Sequence, residues 1–532
     1  MALFCLRTSF DVAAKSLSPQ GYANTAAYLS PFNGSNVTSR YFKRSSVCRR
    51  GHAGLAHAEA REEPMYRNIG PLPPFPLLQT CCAQQTEHVD SGKTIGQTCV
   101  DEANNNVGQN IQISEVAAVP VYHRGSKFER VPYWQNISRW KDVPETQFLS
   151  YSWNTAKDVQ GKMKLYEFLK EVLPEKTPMP EQGGRVQSRE AFIMDVMDGI
   201  AMAPMSIRLT PHILARIDWE NTLGDPLSRQ FIPKKSTFQP DHPKLTLDSL
   251  HETDDSRLPP SQLLLARHLC PEASSHCPLY CRYCTRSYAV GADTETVTKA
   301  ALKPKRARWN AMLEYIAATP SIHDVVISGG DSYALPGMHL RMIDPHDDWT
   351  DELIRLSNIG RERGVHVALH THFNHPNEFS WVTREAAQRL HQEAVVVRNQ
   401  SVLLRGVNDD AETMGALIRE LADNNIIPYY VYAGDMVRGV EELRTPLHTI
   451  LDLECQLRGS IAGFMTPQFV VDLPGGGGKR LATSYQTYDR KTGVSTFVAP
   501  AVVGKGKADR VYEYFDPLHS LPRGEVEAQC GV

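Results

Sequence analysis

From residue 260 onward the sequence alternates short apolar runs with stretches of helical period, which predicts an α/β fold, a partial parallel (β/α) barrel. Three observations carry that expectation. The apolar runs 263–267, 324–328, 365–370, 394–398, 427–432 and 469–473 are nearly continuous, as strands buried on both faces are. Helical periods fall between most of them, at 308–318, 350–359, 380–392 and 411–424. Polar, glycine-rich motifs follow the strands, on the one rim where such barrels gather their chemistry.

The chain ahead of the barrel falls into three parts. Residues 1–60 are rich in arginine, serine and alanine, with Asp11 the only acid before Glu59. That composition predicts a mitochondrial transit peptide and a matrix location; a basic disordered tail is the simpler alternative. Residues 61–118 carry Pro, Gln, Asn and Thr without apolar period and predict a disordered linker. Residues 119–258 predict a helical N-terminal domain, with Leu165, Phe168, Leu169 and Val172 on one helix face. The barrel then occupies 259–475, and a C-terminal segment 476–532 begins in a glycine-rich loop. A net charge of −3 over 532 residues leaves no electrostatic footprint for nucleic acid. No apolar run approaches a membrane span.

The stretch HCPLYCRYCTRSYAVG (276–291) places Cys277, Cys281 and Cys284 with three and then two residues between them. Spacing this tight lets three thiolates converge on one soft metal centre, and an iron–sulfur cube held by three leaves one iron open. Structural zinc is the alternative, but a closed zinc site needs a fourth ligand, and His276 adjoins Cys277 too closely to serve. Two further motifs stand out. SGGD (328–331) puts Gly329 and Gly330 just after a strand, where backbone can approach a ligand; a tight turn explains it equally. DLPGGGGK (472–479) breaks the phosphate-loop pattern at both ends. It reads either as a flexible hairpin or as a mobile lysine, Lys479, able to form a Schiff base with a carbonyl cofactor.

Taken in order, the cysteine loop, SGGD, THFNHPNE (371–378), NQSVLLRGVND (399–409), GVEELRTP (439–446) and VVDLPGGGGK (470–479) resemble the lysine 2,3-aminomutase family of the radical S-adenosylmethionine superfamily. The resemblance spans roughly residues 120–500. It implies a barrel of the radical S-adenosylmethionine type and conversion of L-lysine to L-β-lysine. The implied cofactors are a [4Fe-4S] cluster, S-adenosyl-L-methionine and pyridoxal 5′-phosphate. It assigns the cluster to Cys277, Cys281 and Cys284, and the pyridoxal phosphate to Lys479. Gly329, Gly330, His372 and Gln400 fall beside the adenosylmethionine. Arg286 matches the arginine for the substrate carboxylate, where a planar guanidinium suits a bidentate task. Asp435 and Asp472 match the acids for the distant ammonium; a helix cap and a turn residue are their ordinary readings. An amino acid substrate and an external one-electron reductant follow as partners, with a homo-oligomer left open. The same chemistry on arginine or ornithine is one alternative, and a cluster-binding homologue without turnover another.

The sequence departs from the family in three places. The family's intersubunit zinc has no cysteines here after residue 480 except Cys530, and Asp410 stands in the place of a remaining ligand, so no zinc is implied. Leu258 and Gln262 stand where the family has a stacking aromatic and a phosphate-binding arginine, and PEASS (271–275) reads as an insertion. The interval from SGGD to THFNHPNE is short by about a strand and a helix, which predicts unpaired backbone beside the active site.

Overall fold

The computed structural model describes residues 3–7, 130–179, 185–252, 262–265, 268–271, 277–300, 306–320, 322–331, 348–500 and 509–530. The chain divides into two compact units, Met1–Tyr28 with Phe128–Val532, and Leu29–Lys127. The second unit lies wholly outside the described residues, as do the expected linker 61–118 and all of the expected import segment except residues 3–7.

Residues 130–252, in the same compact unit as the sheet, carry helices and two short strand pairs. Helices α1 (Lys162–Val172) and α2 (Arg189–Met202) close on an aromatic core. Leu165, Phe168 and Leu169 of α1 are fully buried, which is what their spacing requires of one face. Trp134 stacks on Phe148 with ring centroids 4.5 Å apart, and Tyr133, Trp140 and Trp219 surround them. Each such ring stabilises the fold by roughly 1.5–3 kcal/mol over leaving it in water. Ser188 caps α2 by accepting from Ala191 N. Two short antiparallel pairs join the helices, Val159–Gln160 with Arg208–Leu209 and Lys176–Met179 with Arg185–Ser188.

The remainder is a mixed α/β structure around a nine-stranded sheet. In chain order its strands are β1 (Leu3–Arg7), β2 (Gln262–Leu265), β3 (His268–Pro271), β4 (Asp324–Ile327), β5 (His366–Thr371), β6 (Val396–Val402), β7 (Ile427–Tyr432), β8 (Gln468–Leu473) and β9 (Gly478–Leu481). Their order in the sheet is β9-β8-β7-β6-β5-β1-β4-β3-β2. The run β5 to β8 is parallel in chain order, as is the pair β3–β4. Helices α3 (Arg306–Ala318), α4 (Asp348–Glu362), α5 (Trp381–Gln392) and α6 (Ala411–Asp423) stand where the helical periods are, and α7 (Leu447–Leu457) joins β7 to β8. Helix α6 shows why: Met414, Leu417, Ile418 and Leu421 bury one stripe, and Asp410 accepts from Thr413 N at its start. Asp410, the family's missing zinc ligand by position, is thus a helix cap here.

Three features were not anticipated. The hairpin β2–β3 joins the sheet where only one strand was expected. Thr487–Asp489, Val494–Val498 and Val511–Phe515 form a separate antiparallel sheet, whose Tyr514 hydroxyl donates to Gly434 O at 2.8 Å. Most telling, β1 lies antiparallel between β4 and β5, with Phe4 opposite both Ile327 and Leu369. The backbone groups expected to go unpaired after the short SGGD interval therefore find partners, but from the segment expected to be an import peptide. Residues 332–347, the short interval itself, lie outside the described residues. Among the described residues no helix is long and apolar enough to cross a membrane.

Candidate active site

The cysteine loop is tied down by its flanks. Tyr280 N donates to Arg208 O and Arg282 N to Gln230 O, each at 3.0 Å. Arg208 reaches back through Nη1 to Cys277 O at 3.1 Å while its Nε holds Asp158 at 2.7 Å. Between Cys281 and Tyr283, the Arg282 guanidinium pairs with Glu442 in full burial and donates to Arg229 O at 3.1 Å. The GVEELRTP motif thus acts as an anchor for the cysteine loop. Breaking a buried pair of this kind costs about 3–5 kcal/mol, because one charge is left without a partner.

Cys277, Cys281 and Cys284 are free thiols, each half-buried. Burial pushes all three up, Cys281 to about 12. They stay protonated until a metal takes the proton's place. Cys277 donates its thiol to Leu279 O at 2.9 Å. Cys281 and Cys284 border a cavity of about 60 Å³ together with Tyr283, Thr285, His372 and Asp435. Among the described residues no three His, Cys, Asp or Glu side chains are grouped so that they could hold a metal ion, the three cysteines included. As a donor set, three free thiols on one anchored loop fit an iron–sulfur cluster and do not fit a four-ligand zinc site.

His372 faces the cysteine loop, with Nε2 3.2 Å from the Tyr283 hydroxyl. Burial pulls its pKa down to about 3, so the ring is neutral. Gln400 sits beside it through its backbone, but its side chain turns elsewhere, donating to His370 Nδ1 at 3.1 Å and accepting from the Tyr432 hydroxyl at 3.0 Å.

The glycine run closes the hairpin β8–β9. Gly475, Gly476 and Gly478 have φ of +73°, +75° and +82°, a region side chains disfavour. A Cβ on Gly477 would meet Leu473 Cβ at 2.7 Å. The turn sets Asp472 directly opposite Lys479, whose Nζ lies 2.7 Å from Asp472 Oδ2. Hairpin and presented lysine are therefore one arrangement, not rival readings. The Lys479 side chain is 45% exposed, and its Nζ sits 5.7 Å over the Tyr432 ring. Partial burial works against the ammonium, but Asp472 and then Tyr432 outweigh it and raise the Lys479 pKa. The pair with Asp472 holds the amine as ammonium, so it must give up a proton before it can bond a carbonyl carbon. Asp435 joins this group. Its Oδ2 accepts from Thr285 Oγ1 at 3.1 Å, linking it to the cysteine loop, while Oδ1 is buried with no partner among the described residues. Burial, then the Asp472 charge, push its carboxyl up to about 7.

Arg286, next to Thr285 on the cysteine loop, is buried at 7% exposure. Its Nη1 donates to Ser328 Oγ at 2.6 Å and to Gly329 O at 3.1 Å, so part of the SGGD backbone is already engaged; Gly330 is buried beside it. Its Nε and Nη2 hold Glu252 at 2.8 and 2.7 Å. Sequence reasoning did not find Glu252, which reads there as one of several acids in a charged loop, nor Thr285. Tyr432 carried a faint signal, as the last aromatic on one face of IPYYVY.

No protein-family model matches the chain. Among curated proteins it is 31% identical over 368 residues to the L-lysine 2,3-aminomutase of Clostridium subterminale, covering 64% of this chain and 79% of the relative. It is 33% identical to the enzyme of the same name from Acetoanaerobium sticklandii, over 62% of this chain and 78% of the relative. The chain belongs to the lysine 2,3-aminomutase family. Membership makes it an isomerase acting on a small molecule. The family's neighbourhood includes a glutamate 2,3-aminomutase of Clostridioides difficile, 28% identical over 51% of this chain and 66% of that protein.

Proposed function

We propose that the protein is a 2,3-aminomutase that converts L-lysine to L-β-lysine. One observation carries the choice of substrate: the site holds both a buried guanidinium, Arg286, and two carboxylates, Asp435 and Asp472. A zwitterionic head with a distant ammonium satisfies both. A glutamate side chain would bring a third carboxylate to two that already repel each other.

When bound, the cluster with adenosylmethionine would supply a hydrogen-abstracting radical, and pyridoxal phosphate the π-system through which nitrogen migrates. Cys277, Cys281 and Cys284 would hold the cluster, with Gly329, Gly330, His372 and Gln400 toward the adenosylmethionine. Lys479 would hold the pyridoxal phosphate. Releasing Asp472 as it does so, Lys479 would free that carboxylate for the substrate's distant ammonium. Asp435, its carboxyl pushed up to about 7, is about half charged at pH 7 and gains charge when a cation approaches.

The proposal also includes an external one-electron reductant, and a partial barrel supported by the parallel order β5 to β8. Mitochondrial placement is supported by the acid-poor first 60 residues; a reporter fused to them that stays outside the organelle removes it. The central test is anaerobic reconstitution with iron and sulfide, then separate assays of L-lysine, L-arginine, L-ornithine and L-glutamate for β-amino product. Product from L-lysine above the others is expected. Turnover of another amino acid with none of lysine overturns the substrate.

A further inference from the structure

Glu252 occupies the very edge of Arg286 that a carboxylate ligand would use. A guanidinium carries five N–H donors, and its Nε/Nη2 edge matches the two oxygens of a carboxylate. On Arg286 that edge holds Glu252, while Nη1 is committed to Ser328 and Gly329. The Tyr288 hydroxyl adds a bond to Glu252 Oε2 at 3.1 Å. Of the paired side chains Arg286 is buried and Glu252 nearly so, 9% and 12% exposed. Burial alone would push the Glu252 carboxyl up; Arg286, then Tyr288 and Lys479, override it and hold it below its usual value. The charge is therefore present at neutral pH. The residue before it, His251, has φ of +52°, a conformation that non-glycine side chains seldom adopt.

We propose that Glu252 is a positioning residue that competes with the ligand: a resident carboxylate that holds the Arg286 edge until the carboxylate of an amino acid takes it. This rests on the reading of Arg286 as the carboxylate clamp. An incoming carboxylate replaces one ion pair with another, so the buried guanidinium is never left bare. A diamine has nothing to offer Arg286 and leaves Glu252 in place. The exchange raises the threshold for every ligand carboxylate, and Glu252 weakens amino acid binding in return for keeping the site paired.

The test titrates pyridoxal phosphate-loaded protein with L-lysine and with 1,5-diaminopentane, following the absorbance of the bound cofactor. Glu252→Gln, which loses the charge but keeps the shape, is expected to bind L-lysine about tenfold tighter. The diamine is expected to stay within about twofold. Tyr288→Phe loosens Glu252 without touching Arg286 and is expected to shift L-lysine the same way by about two- to threefold, which keeps the test open should the first variant not fold. L-lysine binding that is unchanged or weaker in these variants, or an equal gain for the diamine, overturns the proposal. Arg286→Gln separates the two layers. If it weakens L-lysine but not the diamine, the clamp reading stands whatever Glu252 does; if L-lysine binds it like the wild type, the clamp reading falls.

Discussion

Two ion pairs belong to the site, and they are of opposite kinds. Arg286–Glu252 is dry, bidentate and supported on all sides by Ser328, Gly329 and Tyr288. Lys479–Asp472 is a single contact at the tip of a hairpin, with the lysine 45% exposed. Water screens the second pair and competes for it, so it contributes about 0–1 kcal/mol, while breaking the first costs several times more. The difference suits the two tasks proposed for them. A lysine that must let go of its partner is held weakly, and a clamp that must keep its direction is held from every side.

The sharpest way to break this comparison is Arg286→Ala, which strands Glu252 in a buried site. A loss of about 3–5 kcal/mol in urea unfolding is expected, partly recovered when Glu252→Ala is added. A loss below 1 kcal/mol would make the two pairs alike. Gly477→Ala addresses the hairpin instead, since its Cβ would meet Leu473 and Tyr512 inside 3 Å. A destabilisation of about 1–3 kcal/mol is expected, with weaker retention of pyridoxal phosphate.

Asp435→Asn sharpens the contrast through pH. The folded carboxyl titrates near 7, above its unfolded value, so the folded protein binds more protons than the unfolded one between about pH 4 and 7. Stability from this group is therefore present at low pH and lost as pH rises through 7. The variant is expected to flatten that part of the stability–pH profile, and an unchanged profile would show that the carboxyl is not the source. Lys479→Ala should matter least to folding, within about 1 kcal/mol, while abolishing the absorbance band of bound pyridoxal phosphate. A large stability loss with the band intact would invert the roles of the two pairs.

Much of the architecture was legible because its signals are local. The six apolar runs each overlap one observed strand, and IPYYVY coincides with β7 from Ile427 to Tyr432. Alternating strand and helix periods need only neighbouring residues to be read. The cysteine loop and the glycine hairpin were legible for the same reason, each being a short contiguous motif. The antiparallel C-terminal sheet was not, since its strands lack a continuous apolar run. Strand β1 was hidden further, because its partners lie more than 300 residues away and its composition pointed to import. Gln400 meets His372 through its backbone, while its side chain bonds His370 and Tyr432, a division no sequence pattern shows.

By itself the sequence determined which chemical groups the chain owns and the short-range order in which they come: three thiols on a loop, a lysine after four glycines, strands that alternate with helices. Only the tertiary structure decided which charge meets which. Glu252 and Arg286 are 34 residues apart with no shared period, and Asp435 reaches Thr285 across 150. Periodicity is a property of neighbours along the backbone. The partner of a buried charge is chosen through space, by whichever opposite group the folded chain brings within hydrogen-bond reach.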